Sequence, residues 1–302
     1  MLGAKVIARS KLNLFLDVGP LRADGYHQMR SVMQALELAD ELYLRRTDGS
    51  GGKIRIRCSD RGLPVDRENI VWRAVEVFDE QTGELSGGGI EIFINKRIPV
   101  GAGLAGGSAD AAATLVALSY IYELELETDA LLSMASLVGS DVPFCVRGGT
   151  AMVSGRGEKV EALEPLPPYH VVLATTGVES HTAQVYRRFD SLDPGVLPDP
   201  EGVSERLDRL MEGIKSQELE VICANLHNSL EAAAFEPDKV IKYKDLAREA
   251  GAAGVLMTGS GPTVFALAES LESAINIARV LEEFAPITLV TSFSDKGAEV
   301  TI

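Results

Sequence analysis

Cysteine is scarce in this chain: Cys58, Cys145 and Cys223 are the three among 302 residues, far apart and each in an apolar or mixed context. That spacing argues against a disulfide framework or a cysteine-based metal cluster, and buried free thiols are the default reading. Positive charge is also in short supply. Lysine and arginine number 29 against 44 aspartates and glutamates, a net charge of −15. Such a balance argues against a nucleic-acid surface and for a small-molecule enzyme that gathers its basic residues locally. No apolar run reaches the roughly 18 residues of a membrane span, and MLGAKVIARSKLNLF has neither the apolar block nor the small-residue cleavage site of a signal peptide. The expectation is a cytoplasmic protein with a small-molecule substrate and no membrane or nucleic-acid partner. These features leave monomer and homodimer equally open.

What is there is ordinary globular material, 46% apolar and long enough for one large or two ordinary domains. Periodicity predicts strands at Lys5–Ile7, Leu12–Val18, Glu41–Leu44, Lys53–Arg57 and Ile90–Asn95, and helices at Asn69–Asp79, Ser108–Leu124 and Thr128–Val138. Beyond Pro165, Pro167 and Pro168 the pattern restarts with a strand at His170–Thr175. Helices near Thr182–Phe189, Ser204–Lys215 and Lys239–Ala250 follow, then strands at Val255–Met257 and Thr263–Ala268, a helix at Leu271–Phe284 and a strand at Thr288–Ser292. The proline cluster places a domain boundary between 1–164 and 165–302.

The segment Pro99–Ala112, PVGAGLAGGSADAA, carries four glycines from Gly101 to Gly107 and runs into a small-residue helix. A loop so poor in side chains lets successive backbone N–H groups face an anion, and the helix adds the positive end of its dipole. A Walker loop would end Gly-Lys-Ser/Thr, whereas Gly107-Ser108-Ala109 stands here without the lysine. The dinucleotide pattern G-x-G-x-x-G is formally met by Gly101, Gly103 and Gly106. Its acidic partner at the end of a second strand is missing, because Glu123 and Glu125 close a helix instead.

Three other segments could carry chemistry. Lys11 and Asn13 interrupt an apolar strand ahead of the turn Asp24-Gly25-Tyr26-His27; the plain reading puts both polar residues on the solvent face of an edge strand. On the functional reading Tyr26 offers a stacking face and His27 a hydrogen-bonding partner for a heterocyclic or hydroxylated substrate. Asp141 follows Gly139-Ser140 into the apolar run VPFCV, where a cap is the common fate of an aspartate and pairing with a cation or substrate hydroxyl the alternative. The stretch Val255–Leu267 joins two strand-like pieces through a second glycine loop with hydroxyls at Thr258, Ser260 and Thr263, as a simple hairpin also would.

Taken in order, these segments resemble the three motifs of the GHMP kinases, the family of galactokinase, homoserine kinase, mevalonate kinase and phosphomevalonate kinase. The likeness is closer still to one branch, which phosphorylates the tertiary 2-hydroxyl of a cytidyl-diphosphate-linked methylerythritol in the non-mevalonate isoprenoid pathway. It is carried by KLNLFLDVGPLRADGYHQMRSVMQALELAD, Glu68-Asn69-Ile70, the glycine loop, GSDVPFC and MTGSGPTVFAL, and the Arg22–His27 turn is the discriminating piece. The resemblance implies an α+β, two-domain fold: an N-terminal domain like the second domain of ribosomal protein S five, a ferredoxin-like C-terminal domain, and the site between them. It implies ATP as phosphoryl donor, with its phosphates on Pro99, Val100, Gly101, Ala102, Gly103, Leu104, Ala105, Gly106, Gly107 and Ser108. Lys11 and Asp141 match the catalytic pair, Asp141 taking the hydroxyl proton while Lys11 keeps it ionised. Asn69 and Lys96 match positions near the adenine, while Asn13, Tyr26, His27, Thr182 and Tyr186 match the cytidyl-substrate side. Many members end the loop with two serines. Here Ser108-Ala109 leaves Mg2+ to ride mainly on ATP and water, its protein ligands unknown. The alternatives are another GHMP kinase of homoserine or mevalonate type, a nucleotide-binding regulator of the same fold, and an NAD-dependent dehydrogenase.

Overall fold

The first strand owes its unusual burial to two irregularities. In the computed structural model, which describes residues 3–23, 25–48, 53–178, 180–193, 195 and 199–301, the predicted pieces Lys5–Ile7 and Leu12–Val18 fuse into one strand, β1 (Gly3–Leu21). Its antiparallel register against β2 (His27–Asp48) shifts between Arg9 and Lys11 and again between Asn13 and Phe15. Bulges of this kind break the alternation of faces and re-aim side chains. Every residue from Ala8 to Leu16 is consequently buried, and the solvent-face reading of Lys11 and Asn13 is wrong: they are 4% and 1% exposed. Asp24, between these strands in sequence, lies outside the described residues, as do residues 194 and 196–198.

The chain continues through β3 (Ile54–Cys58), α1 (Ile70–Thr82), β4 (Gly88–Asn95), α2 (Gly106–Ile121), α3 (Thr128–Val138), α4 (Val142–Arg147), β5 (Thr150–Gly155) and β6 (Lys159–Ala162). β4 pairs with β2 along Glu41–Asp48, and β5 pairs with the earlier stretch Met29–Gln34. The sheet thus forks around β2. Helix α2 is built mostly of small and apolar residues with no single apolar stripe, as suits a helix enclosed on most sides, and Ala109 to Leu115 are all buried, Asp110 among them. Its end is marked by left-handed backbone at Glu123 and Glu125.

The second half comprises β7 (His170–Thr175), α5 (Thr182–Asp190), α6 (Pro200–Ser216), α7 (Leu219–Ala224), β8 (His227–Asn228), α8 (Pro237–Glu249), β9 (Gly254–Met257), β10 (Thr263–Ala268), α9 (Leu271–Glu282), β11 (Ile287–Ser292) and β12 (Glu299–Val300). Strands β11, β7, β10 and β9 form an antiparallel sheet in that order. Two short strands stitch it to the first half: β8 runs parallel to β1 at Phe15 and Leu16, and β12 pairs antiparallel with Val6 and Ile7. Residues 293–301, expected with the second half, therefore lie along the first sheet. There Arg9 Nη1 donates to the Gly297 carbonyl at 3.0 Å. Between the halves lies a cavity of about 980 Å3.

Candidate active site

One wall of that cavity is the first glycine loop. Gly101 and Gly103 have φ of 64° and 74°, a left-handed backbone that glycine adopts without strain. Ala105, at the N-cap position of α2, offers no capping side chain. The amides of the first helical turn are therefore left without a side-chain cap where Gly106, Gly107 and Ser108 line the cavity, an arrangement that suits an anion. Two neighbours hold the loop in place. Lys11 N–H donates to the Leu104 carbonyl at 3.1 Å, and a Cβ on Gly103 would stand only 2.8 Å from the Gly261 carbonyl and 2.9 Å from that of Thr258. The two glycine loops thus pack backbone to backbone, which a plain hairpin turn at 258–262 would not require. Ser180 extends the clasp, its N–H reaching Gly101 O at 3.1 Å and its hydroxyl Ser260 O at 2.9 Å.

Where the loops meet, the buried Lys11 ammonium donates to Asn13 Oδ1 at 2.8 Å and to Gly103 O at 3.1 Å, and lies 3.7 Å from Asp141 Oδ2. Asn13 is itself fixed. Its N–H donates to Thr258 Oγ1 at 2.9 Å and its Nδ2 to Ser31 Oγ at 2.8 Å. Asp141 occupies the N-cap position of α4, but its side chain makes no capping hydrogen bond among the described residues. The carboxylate is 32% exposed and reaches toward Lys11. Capping, the common fate of such an aspartate, is not its role here.

The far end of the cavity is aromatic. The Tyr26 ring is half exposed, with the Arg156 guanidinium 5.1 Å from its centre. His27 Nδ1 carries its hydrogen toward the Gly19 carbonyl at 2.8 Å, since that oxygen can only accept, and Nε2 lies 3.1 Å from Asp190 Oδ1. The His27 ring stands 5.3 Å from that of Tyr186 and edge-on to Phe189. Burial, with Asp141 nearby, pushes the Tyr186 phenol up to about 12. Thr182 Oγ1 shares a hydrogen bond with Ser260 Oγ at 3.1 Å. The hairpin turn and α5, distant in sequence, thus form one pocket.

Comparison with known proteins decides among the kinase, regulator and dehydrogenase readings. The model for the GHMP kinases N terminal domain matches residues 69–149, and that for the GHMP kinases C terminal domain matches 210–287. The chain belongs to the GHMP kinase family. It is 43% identical to the 4-diphosphocytidyl-2-C-methyl-D-erythritol kinase of Exiguobacterium sibiricum, over 87% of this chain and 88% of that one. To the enzyme of the same name from Pelotomaculum thermopropionicum it is 42% identical, over 90% and 91%. A crystal structure of 4-(cytidine 5'-diphospho)-2C-methyl-D-erythritol kinase superposes with a TM-score of 0.77 at 32% identity, covering 96% of this chain and 99% of that one.

This GHMP kinase uses two of its expected site residues inwardly. Asn69 caps α1, its Oδ1 accepting from Val71 N at 2.9 Å and its Nδ2 donating to Pro64 O at 2.8 Å. Lys96 is buried between Asp40 and Asp110. Both residues line the cavity, with their polar groups committed to protein. Among the described residues no cluster of three metal-ligating side chains occurs; Asp141 and the Ser108 hydroxyl are oxygen donors on the cradle, a set suited to a metal that arrives on its ligand. Sequence reading missed Asn228, whose Nδ2 donates to Met257 O at 2.7 Å and Gly259 O at 2.8 Å, pinning the second glycine loop from β8. A single polar residue before Ser-Leu gives no signal of that reach. It also missed Asp190 and Arg156, which become partners of His27 and Tyr26 only through the fold.

Proposed function

We propose that this GHMP kinase transfers the γ-phosphoryl group of ATP to the tertiary 2-hydroxyl of 4-diphosphocytidyl-2-C-methyl-D-erythritol. The observation that carries the reading is the 3.7 Å approach of Lys11 to Asp141 at the junction of the anion cradle and the aromatic pocket. A donor's phosphates on Gly101–Ser108 and a cytosine between Tyr26 and Tyr186 would place an acceptor hydroxyl beside that pair. The catalytic roles follow from chemistry. Asp141 accepts the hydroxyl proton as the new O–P bond forms and the bond to the β-phosphate bridging oxygen breaks, releasing ADP. Lys11, held by Asn13 and Gly103, brings a fixed positive charge to the transferring group without reorganising during the step. The amides of the first turn of α2 bind the β- and γ-phosphates. Mg2+ carried on the phosphates would neutralise their charge, with Ser108 and Asp141 as the protein oxygens available to it.

Residues 1–164, with the stretch 293–301 along their sheet, form one wall of the cleft and residues 165–292 the other, which excludes water from the transfer. We place the reaction in the cytoplasm; among the described residues no helix is long and apolar enough to cross a membrane. The test is ADP release from ATP and Mg2+ with a panel of acceptors: the cytidyl-erythritol, homoserine, mevalonate and galactose. Release with the cytidyl compound alone supports the reading, and equal or faster release with another acceptor overturns it.

A further inference from the structure

The carboxylate of Asp190 stands where its own helix disfavours it. Asp190 is the last residue of α5, directly after Arg187, Arg188 and Phe189, and a negative charge there meets the negative end of the helix dipole. What the carboxylate faces is the start of β2 in the other half of the chain, with Oδ1 3.1 Å from His27 Nε2. The His27 side chain is 8% exposed and that of Asp190 44%, so the aspartate reaches in from the rim to a ring already enclosed.

Both nitrogens of that ring face oxygens. Nδ1 meets the Gly19 carbonyl at 2.8 Å and Nε2 the Asp190 carboxylate. The hydrogen-bonding capacity of His27 is therefore spent on protein, and the ring can serve a ligand's base by hydrogen bonding only by giving up one of these partners. What the ring supplies is position. It lies 5.3 Å from the Tyr186 ring and meets Phe189 edge-on at 6.3 Å, packing the hairpin against two residues of α5. The first turn of α5 is held by Thr182 on Ser260, and Arg188 Nη1 donates to the Ala234 carbonyl at 3.0 Å. The His27–Asp190 contact ties the last turn of the helix to the residue next to Tyr26.

Tyr26, His27, Tyr186 and Asp190 all line the cavity. A planar base keeps contact with two rings only over a narrow range of their separation, because a gap of about 0.5–1 Å already forfeits about a quarter to a half of the dispersion attraction. We propose that Asp190 is a positioning residue for the nucleobase of the acceptor: by holding His27 it fixes the spacing between Tyr26 and Tyr186. A partly exposed ion pair adds little to overall stability. The work of this carboxylate is thus in the shape of the pocket, which also accounts for its place at the unfavourable end of α5.

This inference rests on the cytidyl-acceptor reading of the pocket, and the test separates the two. KM for the cytidyl-erythritol and KM for ATP are measured on the full chain and its variants, with thermal melts to confirm folding. Asp190→Ala should raise KM for the cytidyl substrate by about two- to tenfold, bounded by the loss of one aromatic contact, and KM for ATP by less than about twofold. Asp190→Asn, whose amide can still pair with Nε2, should recover part of the loss. Asp190→Ser, which also stops short of the ring, takes the place of the alanine variant should that one not fold. In a His27→Ala background the truncation should add little, because the carboxylate acts through that ring. An unchanged KM for the cytidyl substrate, an equal rise for both substrates, an asparagine variant no better than the truncation, or effects that multiply in full in the double variant overturns the proposal alone. A wild type that does not turn over the cytidyl compound removes the acceptor reading and this proposal with it.

Discussion

The ammonium of Lys11 lies 3.7 Å from the Asp141 carboxylate yet donates its hydrogen bonds to Asn13 and the Gly103 carbonyl. The pair is held apart by its supports rather than collapsed into a tight salt bridge. Asp141 keeps lone pairs open toward the cavity, and Lys11 is anchored to the first glycine loop. A shorter pair, with each partner satisfied by the other, would leave less for a substrate to engage.

Removing the acceptor should therefore cost chemistry and spare binding. Asp141→Asn is expected to lower kcat by at least about two orders of magnitude, the lower range for a positioned acid or base, while ATP affinity measured by titration changes little. Near-normal turnover in a folded variant would remove Asp141 from the mechanism.

The backbone contact between the glycine loops predicts that Gly103→Ala is disproportionately harmful. Its methyl group would meet the Gly261 and Thr258 carbonyls at 2.8 and 2.9 Å, on a backbone with φ of 74°. The variant should lose about 1–3 kcal/mol of stability, and its KM for ATP should rise by tenfold or more. Thermal melts and initial rates check both; an unchanged KM would show that the loop does not depend on its partner.

On the substrate side, Tyr26→Ala and Tyr186→Ala should each raise KM for the cytidyl substrate by about two- to tenfold, the scale of a lost aromatic contact, with a smaller effect on KM for ATP. Equal effects on the two substrates would argue against a cytidine pocket at the hairpin and α5.

Stability should carry the signature of Asp110. Burial pushes its carboxyl from 3.8 up to about 8, so between those values the folded chain holds a proton that the unfolded chain has lost. Folding stability attributable to this group then falls as pH rises through that window and levels off above it. In thermal melts, Asp110→Asn, neutral at every pH, should gain on the wild type steadily from pH 4.5 to 8.5. A constant difference across that range would contradict the assignment.

Much of this was legible from residues alone. The strand His170–Thr175 and the helix Thr128–Val138 stand where their patterns put them, the strand as a continuous run buried from Val171 to Thr175 and the helix with Met134 and Ala135 turned to the core. The fusion of β1 across Ser10 was not, since bulges undo the alternation on which strand reading depends. Nor were β8 and β12, two-residue strands fixed by tertiary pairing with β1 and not by any periodicity of their own. At the site, glycine spacing pointed directly to a loop that lines the cavity. The inward commitment of Asn69 to a helix cap and of Lys96 to two carboxylates depends on partners such as Pro64 and Asp40, which the sequence does not bring near.

The central claim is a transfer from ATP to one particular hydroxyl, and a proton-coupled phosphorus NMR spectrum of the completed reaction tests it most directly. A phosphate on the tertiary C2 oxygen has no hydrogen on its carbinol carbon, so the account predicts a new, unsplit monoester resonance growing in step with ADP. A monoester signal split by three-bond coupling to hydrogen, marking the C1 or C3 oxygen, or ADP formed with no new ester, would contradict it.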